Sequence, residues 1–189
     1  MPPTESKMMP IGTPAPPFSL PGVDGKKHSL EDFRGCRALL VMFVCNHCPF
    51  VVHVRDGLAK LYDEYAETGV GFVAISSNDS DSYPEDSFEN MTEKAMVWNW
   101  KFPYLYDESQ EIALAYSAAC TPDFFLFDAD MMLVYRGQLD DSRPNNGKPV
   151  TGADIRHAIE AILAGYKPNE DQKPSIGCGI KWKTGNDPN

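Results

Sequence analysis

The stretch LLVMFVCNHCPFVVHVRDGLAKLYDEY, residues 39–65, joins two sequence patterns at a pair of cysteines. The chain is continuously apolar over residues 38–44, which predicts a β-strand covered on both faces, as in a parallel sheet. Residues 50–68 carry apolar side chains at helical spacing, so a helix is predicted directly after the strand. Cys45 and Cys48 therefore stand where a buried strand passes into a helix.

Strand and helix patterns alternate along the rest of the chain, which predicts an α/β fold with a central mixed β-sheet flanked by helices. We expect an N-terminal hairpin within FSLPGVDGKKHSL and an extra strand–helix insertion around residues 87–98. The length is that of one domain. We place this domain at residues 1–165, with a loose, Pro-rich lead-in at 1–17 and a polar tail at 166–189 that contains Cys178.

The balance of charges limits the classes of partner. The chain has 27 acidic and 17 basic residues and a net charge of −10, which argues against nucleic acid and anionic membrane surfaces. The N-terminal segment lacks a signal-peptide pattern, and no apolar run approaches the roughly 20 residues of a membrane span. We therefore expect a cytoplasmic protein, with the acidic loop at 79–86 solvated.

The cysteines do not form a disulfide scaffold, because there are only five in a chain of this length. In a reducing compartment a Cys-x-x-Cys is more often catalytic or metal-binding than structural. Structural zinc often takes its ligands from two such pairs, and the remaining cysteines here are isolated. We therefore expect no metal and no cofactor.

Cys45 and Cys48 have the chemistry of a redox pair. If the helix begins at about Asn46, Cys45 lies at its N-terminal end, where unpaired N–H groups and the helix dipole stabilise a thiolate. Cys48 then lies one turn later on the same face and can close a disulfide. A cationic His47 would make the pair more oxidising, whereas the alternative for His47 is a solvated residue of the first turn. The hypothesis requires the two sulfur atoms to be close together and reachable by a substrate.

Two further segments carry thiols or a special proline. Thr121-Pro122 precedes the apolar strand FFLFD, and this proline is either an ordinary strand-start residue or a cis-proline. Cys120 is either a third redox thiol beside the pair or a small buried residue. Cys178 lies near Lys181 in GCGIKWK, so it is either an activated thiol that exchanges with the pair or an ordinary residue of the tail.

Taken together, the strand–Cys45-x-x-Cys48–helix junction, the Thr121-Pro122 strand, the late hairpin and the final helix resemble the thioredoxin superfamily. The segment at 102–139 and the inserted helix are similar to the branch of alkyl hydroperoxide reductase/thiol-specific antioxidant (AhpC/TSA, or redoxin) proteins and thiol–disulfide reductases. KPSIGCGIKWK and DDSRPNNGKPVTG are similar to a little-characterised bacterial subgroup of thioredoxin-like proteins.

The resemblance implies a thioredoxin-like fold and a thiol–disulfide oxidoreductase. It implies that Cys45 is the nucleophile, that Cys48 is the resolving thiol and that Pro122 is cis. It also implies that the backbone of Thr121 pairs with an extended substrate strand, and we add Asn46 as a third substrate-binding residue. The expected partners are a disulfide-containing protein or a low-molecular-weight thiol, and a thiol reductant system.

Some positions depart from the patterns of this superfamily. Leu39 stands where many thioredoxins carry a buried acid, and Val51 stands where related reductases carry a glutamate. The usual proton acceptor for Cys48 is therefore missing or supplied elsewhere. A histidine directly before the second cysteine is typical of oxidising members.

Two alternative functions fit the sequence less well. Peroxiredoxins carry a proline and a hydroxyl residue where this chain has Ala38 and Met42, and no arginine occurs at 113–133. A copper-binding module would use the two thiolates for Cu(I), but the cysteine spacing is one residue short and no histidine lies between His53 and His157.

Overall fold

The computed structural model describes residues 2–188, which contain ten strands and four α-helices. The strands are β1 (Thr4–Glu5), β2 (Ser19–Pro21), β3 (Lys27–Ser29), β4 (Ala38–Phe43), β5 (Val70–Ser76), β6 (Tyr104–Tyr106), β7 (Cys120–Thr121), β8 (Asp123–Asp128), β9 (Leu133–Gly137) and β10 (Ile176–Gly179). The helices are α1 (Pro49–Tyr65), α2 (Phe88–Val97), α3 (Glu111–Ala115) and α4 (Ala153–Leu163).

Five strands form the central sheet in the order β6-β5-β4-β8-β9. β4 pairs parallel with β5 and antiparallel with β8, so the sheet is mixed, as predicted. Every residue of β4 is buried, which explains its continuous apolar sequence. The predicted N-terminal hairpin is confirmed as β2 and β3, and the predicted insertion is confirmed as α2 between β5 and β6.

Alternate residues of β4 face two separate apolar layers, because successive side chains of a strand point to opposite faces. Leu40 and Met42 pack with α1, α2 and α4 on one face. Leu39, Val41 and Phe43 pack with α3 and the β2–β3 hairpin on the other. The dithiol junction lies at the end of β4, on the layer that contains α1.

The helix predicted from residue 50 is confirmed as α1, which begins at Pro49, so the condition that the helix begins at about Asn46 is not met. A residue that precedes proline is kept out of the helical region by the proline ring, and Cys48 has an extended backbone with φ −70° and ψ 123°. Cys48 is therefore the N-cap residue, and Cys45 lies in the turn that precedes the helix. The helix dipole acts most directly on Cys48, not on Cys45.

The last helix begins one residue later than its sequence suggests, since Thr151 is of a residue type that favours the N-cap position. The N-cap residue is Gly152 with φ +66°, in the left-handed region that glycine adopts without strain. Thr151 Oγ1 instead accepts a hydrogen bond of 3.3 Å from the Ala153 N–H.

The two ends of the chain are fastened to the domain and to each other, which corrects the expectation of a loose lead-in. β1, β10 and β7 form a three-stranded antiparallel sheet, in which Thr4 pairs with Gly177. Met9 and Ala15 of the lead-in are buried in the core. The polar tail therefore contains a strand that the sequence pattern did not predict. Within residues 2–188, no helix is long and apolar enough to cross a bilayer.

Candidate active site

Cys45 and Cys48 meet the Thr121-Pro122 segment at the end of β4. Cys45 Sγ lies 3.4 Å from Thr121 Oγ1, and Cys48 Sγ lies 3.1 Å from the Thr121 carbonyl oxygen. The Thr121–Pro122 peptide bond is cis, as the resemblance implied. Residues that are 76 positions apart in the chain thus form one site, and both sulfur atoms touch the same threonine.

The expectation that the sulfur atoms are reachable is wrong for this arrangement of the chain. Cys45 is 1% exposed and Cys48 is 0% exposed. The tail strand β10 runs antiparallel along β7 and places Cys178 directly opposite Thr121. A substrate therefore reaches the pair only after part of this cover has moved.

The three neighbouring thiols have unequal affinities for a proton. Hydrogen bonds from the thiols of Cys178 and Cys45 lower the pKa of Cys48, and the Thr121 hydroxyl and the N–H of Val51 in the first turn of α1 act in the same direction. Hydrogen bonding to Cys48, burial and the nearby carboxylate of Asp86 raise the pKa of Cys45. The closed site thus lowers the pKa of Cys48 and raises that of Cys45, whereas the sequence pattern had assigned the lowered pKa to Cys45.

Hydrogen bonding to Cys48 and burial also raise the pKa of Cys178, while the Lys181 ammonium lowers it. The alternative of an activated thiol at Cys178 is therefore not favoured while Cys48 is a free thiol or thiolate.

Asn46 is held by the inserted segment and does not face a substrate cleft. Its N–H donates to Asp86 Oδ1 at 2.7 Å, and its side-chain amide donates to the Glu85 carbonyl at 2.9 Å. The Tyr104 hydroxyl donates to Asn46 Oδ1 at 2.9 Å. Since Asn46 is 3% exposed and each of these groups is paired, its predicted substrate-binding role is replaced by positioning of the turn between the cysteines.

His47 lies against Asp86 and Tyr83. Its Nδ1 is 2.7 Å from Asp86 Oδ2, and its ring is stacked on the Tyr83 ring with centroids 5.7 Å apart. His47 is thus not fully solvated, and its imidazole interacts with Asp86 and Tyr83 and not with sulfur alone. Because Asp86 sits beside it, any positive charge on the imidazole is offset by a carboxylate.

Asp86 is the functional residue that the sequence analysis missed. It was assigned to a solvated acidic loop, yet it is fully buried and accepts hydrogen bonds from the Asn46 N–H and, at 2.7 Å, from the Asn78 side-chain amide. The only sequence signal was its place in the insertion, which does not reveal a contact with residues 40 positions earlier.

Three possible ligand atoms lie within 4.8 Å of one another, which is close enough to hold a metal ion. They belong to Cys45, His47 and Asp86. However, both carboxylate oxygens of Asp86 already accept hydrogen bonds from asparagine nitrogen atoms. This arrangement favours the carboxylate as a fastening for the turn over a metal ligand.

Cys120 and Asp123 flank the cis-proline inside the protein. Burial and the nearby Asp123 raise the pKa of Cys120, which favours the interpretation as a small buried residue over a third redox thiol. Burial also raises the pKa of Asp123 to about 8. Asp123 Oδ1 has no hydrogen-bond partner within the described part of the chain. The sequence analysis did not single out this carboxyl.

Comparisons with known proteins are consistent with this geometry. A crystal structure of an uncharacterized conserved protein from Geobacillus kaustophilus superposes with a TM-score of 0.95 at 59% identity, and the match covers 97% of each chain. The thioredoxin domain of a thiol–disulfide oxidoreductase from Bacteroides vulgatus superposes with a TM-score of 0.60 at 19% identity, covering 69% of this chain and 89% of that one. The predicted thioredoxin-like fold is thereby confirmed.

Sequence relatives point in the same direction. Thiol-disulfide oxidoreductase ResA from Bacillus thuringiensis subsp. konkukian is 29% identical over 127 residues, which are 67% of this chain and 69% of the relative. The model of the AhpC/TSA family matches residues 11–136, a segment that includes both cysteines and the cis-proline.

Proposed function

The chain belongs to the AhpC/TSA family of the thioredoxin superfamily, and on that premise we propose that it is a thiol–disulfide oxidoreductase whose redox-active pair is Cys45 and Cys48. The observation that carries the proposal is the contact of both sulfur atoms with Thr121 beside the cis-proline. Two thiols held against one residue can form a disulfide with little movement of the backbone. The name of the Bacillus relative supports the same class of reaction.

The exchange proceeds through a mixed disulfide. The thiolate of Cys45 attacks one sulfur of a substrate disulfide, the substrate S–S bond breaks, and the first substrate thiolate leaves and takes up a proton. Cys48 then attacks Cys45 Sγ, which releases the second substrate thiol and forms the Cys45–Cys48 disulfide. The substrate gains two electrons and two protons, and the pair loses them.

The choice of Cys45 as the attacking thiol depends on opening of the site. The largest cause that lowers the pKa of Cys48 is the hydrogen bond from Cys178 on the tail strand. When the tail strand leaves, this hydrogen bond is lost, so the pKa of Cys48 rises, and the burial that raises the pKa of Cys45 is relieved. Cys45, in the turn ahead of the helix, then becomes the competing site for the charge.

Reduction of insulin disulfides by the pre-reduced protein tests the proposal. Cys36 packs against the opposite core layer, so Cys36→Ser is the control. The wild-type chain and Cys36→Ser are expected to reduce one disulfide per molecule, whereas Cys45→Ser and Cys48→Ser fail to complete the reaction. The Cys48→Ser protein is expected to accumulate a mixed disulfide through Cys45, identified by mass spectrometry after acid quenching. Accumulation only in Cys45→Ser would reverse the two roles, and full activity of both variants would reject the proposal.

Peroxide reduction is the alternative function, and the site disfavours it. Ala38 and Met42 lie in the buried β4 strand and present no hydroxyl to a peroxide at the cysteine turn. A fast second-order reaction of Cys45 with hydrogen peroxide would overturn this ranking. Copper binding is tested in parallel by retention of Cu(I) against a competing chelator.

We also propose that the substrates are disulfide-containing proteins or low-molecular-weight thiols and that a cellular thiol system reduces the pair. The cytoplasmic location expected from the sequence is part of this proposal and is tested by fractionation of the host cell.

A further inference from the structure

The backbone edge at Thr121, which the thioredoxin resemblance assigns to a substrate strand, is occupied by the chain's own tail. β10 pairs antiparallel with β7, with Cys178 opposite Thr121 and Gly179 opposite Cys120. The Ile180 N–H extends the pairing by donating to the Ala119 carbonyl at 3.1 Å. The tail thus takes the position and direction of a bound peptide.

The approach of the tail to the cis-proline segment is too close for any side chain at residue 177. A Cβ atom placed on Gly177 would lie 2.0 Å from the Thr121 carbonyl oxygen and 2.6 Å from the Thr121 carbonyl carbon. These are backbone atoms that cannot swing aside. Glycine at this position therefore lets β10 lie directly on the site.

The same pairing brings a third sulfur to the dithiol. Cys178 packs against the core layer that contains Cys48, and it lies opposite Thr121, whose carbonyl oxygen is 3.1 Å from Cys48 Sγ. Cys178 is partly exposed, whereas Cys45 and Cys48 are buried. Of these three sulfur atoms, only that of Cys178 belongs to a residue with access to solvent.

We propose that Cys178 is a third redox residue, which exchanges with Cys48 and transfers the disulfide of the buried pair to the partly exposed tail strand. This inference rests on the proposed function of Cys45 and Cys48.

The exchange conserves electrons and atoms. Starting from the Cys45–Cys48 disulfide, the Cys178 thiolate attacks Cys48 Sγ, so the Cys48–Cys178 bond forms and the Cys45–Cys48 bond breaks. Cys45 leaves as a thiolate and takes up the proton that Cys178 released. An external thiol then attacks Cys178 Sγ and expels Cys48, and a second external thiol releases Cys178 from the mixed disulfide. Two external thiols are oxidised to one disulfide, and the protein regains three thiols.

The hydrogen bonds among the three thiols change as the disulfide moves. The hydrogen bond and the charge of Cys48 raise the pKa of Cys178 only while Cys48 is a free thiol or thiolate. Once Cys48 is tied to Cys45 these two causes are absent, while burial still raises the pKa of Cys178 and the Lys181 ammonium lowers it. When the external thiol attacks, Cys48 is the leaving group, and the hydrogen bonds from Cys45, Thr121 and Val51 that lower its pKa help it to leave.

Disulfide mapping tests the exchange directly. The reduced full-length protein is oxidised with one equivalent of diamide, quenched in acid, alkylated and mapped by mass spectrometry. The expected result is a mixture of Cys45–Cys48 and Cys48–Cys178 disulfides in the wild-type chain and in Cys36→Ser. The Cys45→Ser protein supplies the reference Cys48–Cys178 peptide. A wild-type map that contains the Cys45–Cys48 disulfide alone would overturn the inference.

Re-reduction kinetics give an independent readout. Glutathione is expected to re-reduce the oxidised Cys178→Ser protein about tenfold more slowly than the wild-type or Cys36→Ser protein, because the attacked sulfur is then buried. Equal rates would reject the role of Cys178 and leave the dithiol function intact. If the wild-type protein fails to reduce insulin, the proposed function fails, whereas the disulfide map still reports on exchange between Cys48 and Cys178.

Discussion

The dithiol turn, residues 44–48, and the tail strand β10 hold sulfur atoms that touch one another, yet they are fastened in different ways. Val44, Cys45 and Cys48 belong to the buried core layer. The tail strand is held mainly by backbone pairing along its two edges, and three of its four residues are partly exposed. Segments with few buried apolar contacts open locally at a lower free energy than core segments. The comparison indicates that the tail can leave the site while the dithiol turn stays folded.

Polar contacts sharpen this difference. The dithiol turn is fixed by Asp86, which is fully buried. The tail strand is anchored just before its start by Ser175, whose hydroxyl donates to the Pro122 carbonyl at 2.6 Å and whose N–H donates to Ser6 Oγ at 2.7 Å. The chain directly after β10 is also anchored, since the Lys181 N–H donates to Asn78 Oδ1 at 2.9 Å. Opening of the cover therefore concerns β10 itself, between these two anchors.

The largest expected effect concerns the buried core beside the dithiol, where Asp123 lies. In the folded protein Asp123 stays protonated up to a pH of about 8, because burial raises its pKa, whereas in the unfolded chain it ionises near its ordinary value of 3.8. Between these two values the folded state binds more protons, so the contribution of Asp123 to stability is lost as the pH rises. We expect Asp123→Asn to raise the free energy of unfolding at pH 8 by a few kcal/mol, and by much less at pH 4.

Denaturant unfolding of both proteins at several pH values measures this difference. We expect Cys48 to be alkylated at the same rate in the Asp123→Asn and wild-type proteins, because the substitution does not alter the tail strand. A stability difference that is constant from pH 4 to pH 8 would show that Asp123 does not titrate in this window.

The next largest effect is expected in the tail strand β10. Gly177→Ala is expected to push β10 off the Thr121 carbonyl and to raise the alkylation rate of Cys48 by about tenfold, which corresponds to local opening favoured by about 1.4 kcal/mol. Gly179→Ala is the matched control, since its Cβ would lie 3.1 Å from Thr4 Oγ1, a side-chain atom that can move. Equal alkylation rates in the two variants would contradict the difference between the two regions.

A smaller effect is expected from the residue that fixes the dithiol turn. Asp86→Asn removes a negative charge that raises the pKa of Cys45, so this pKa is expected to fall. Thiolate absorbance at 240 nm in a Cys48→Ser background measures the change. Asp107→Asn serves as the control. Asp107 is a buried carboxylate that accepts a hydrogen bond of 2.9 Å from the Ala113 N–H, and it lies away from the thiols. A rise in the pKa of Cys45 would contradict the electrostatic role of Asp86.

The smallest effect is expected at His47. If a cationic His47 makes the pair more oxidising, His47→Pro lowers the reduction potential of the pair and raises the pKa of Cys45. Because His47 Nδ1 lies 2.7 Å from Asp86, most of its charge is offset, and we expect the potential to fall by no more than about 30 mV. Equilibration with glutathione redox buffers measures this, and a larger fall would show that the imidazole acts on sulfur in spite of Asp86.

The parts of the site that could be predicted from the sequence are those with strong local patterns. The apolar sequence of β4 and the helical spacing in α1 predicted the strand–helix junction, and the family resemblance predicted the cis-proline. The start of α1 at Pro49 follows from a local steric rule, so the sequence already contained that information.

The remaining parts depend on contacts between distant segments. Asp86 lies in a polar loop whose composition is typical of a solvated surface, and only the folded chain brings it to Asn46. β10 has four residues, two of them glycine, so neither periodicity nor β-propensity marks it as a strand. Its pairing with β1 and β7 is decided by the tertiary structure.

The pairing of Thr4 with Gly177 has a practical consequence for anyone who prepares this protein. A purification tag fused directly before β1 would be attached to the strand that pairs with β10, which covers the dithiol. Such a fusion can weaken the pairing of β1 with β10. Redox potentials and alkylation rates are therefore best measured after proteolytic removal of the tag, with tagged and untagged material compared side by side.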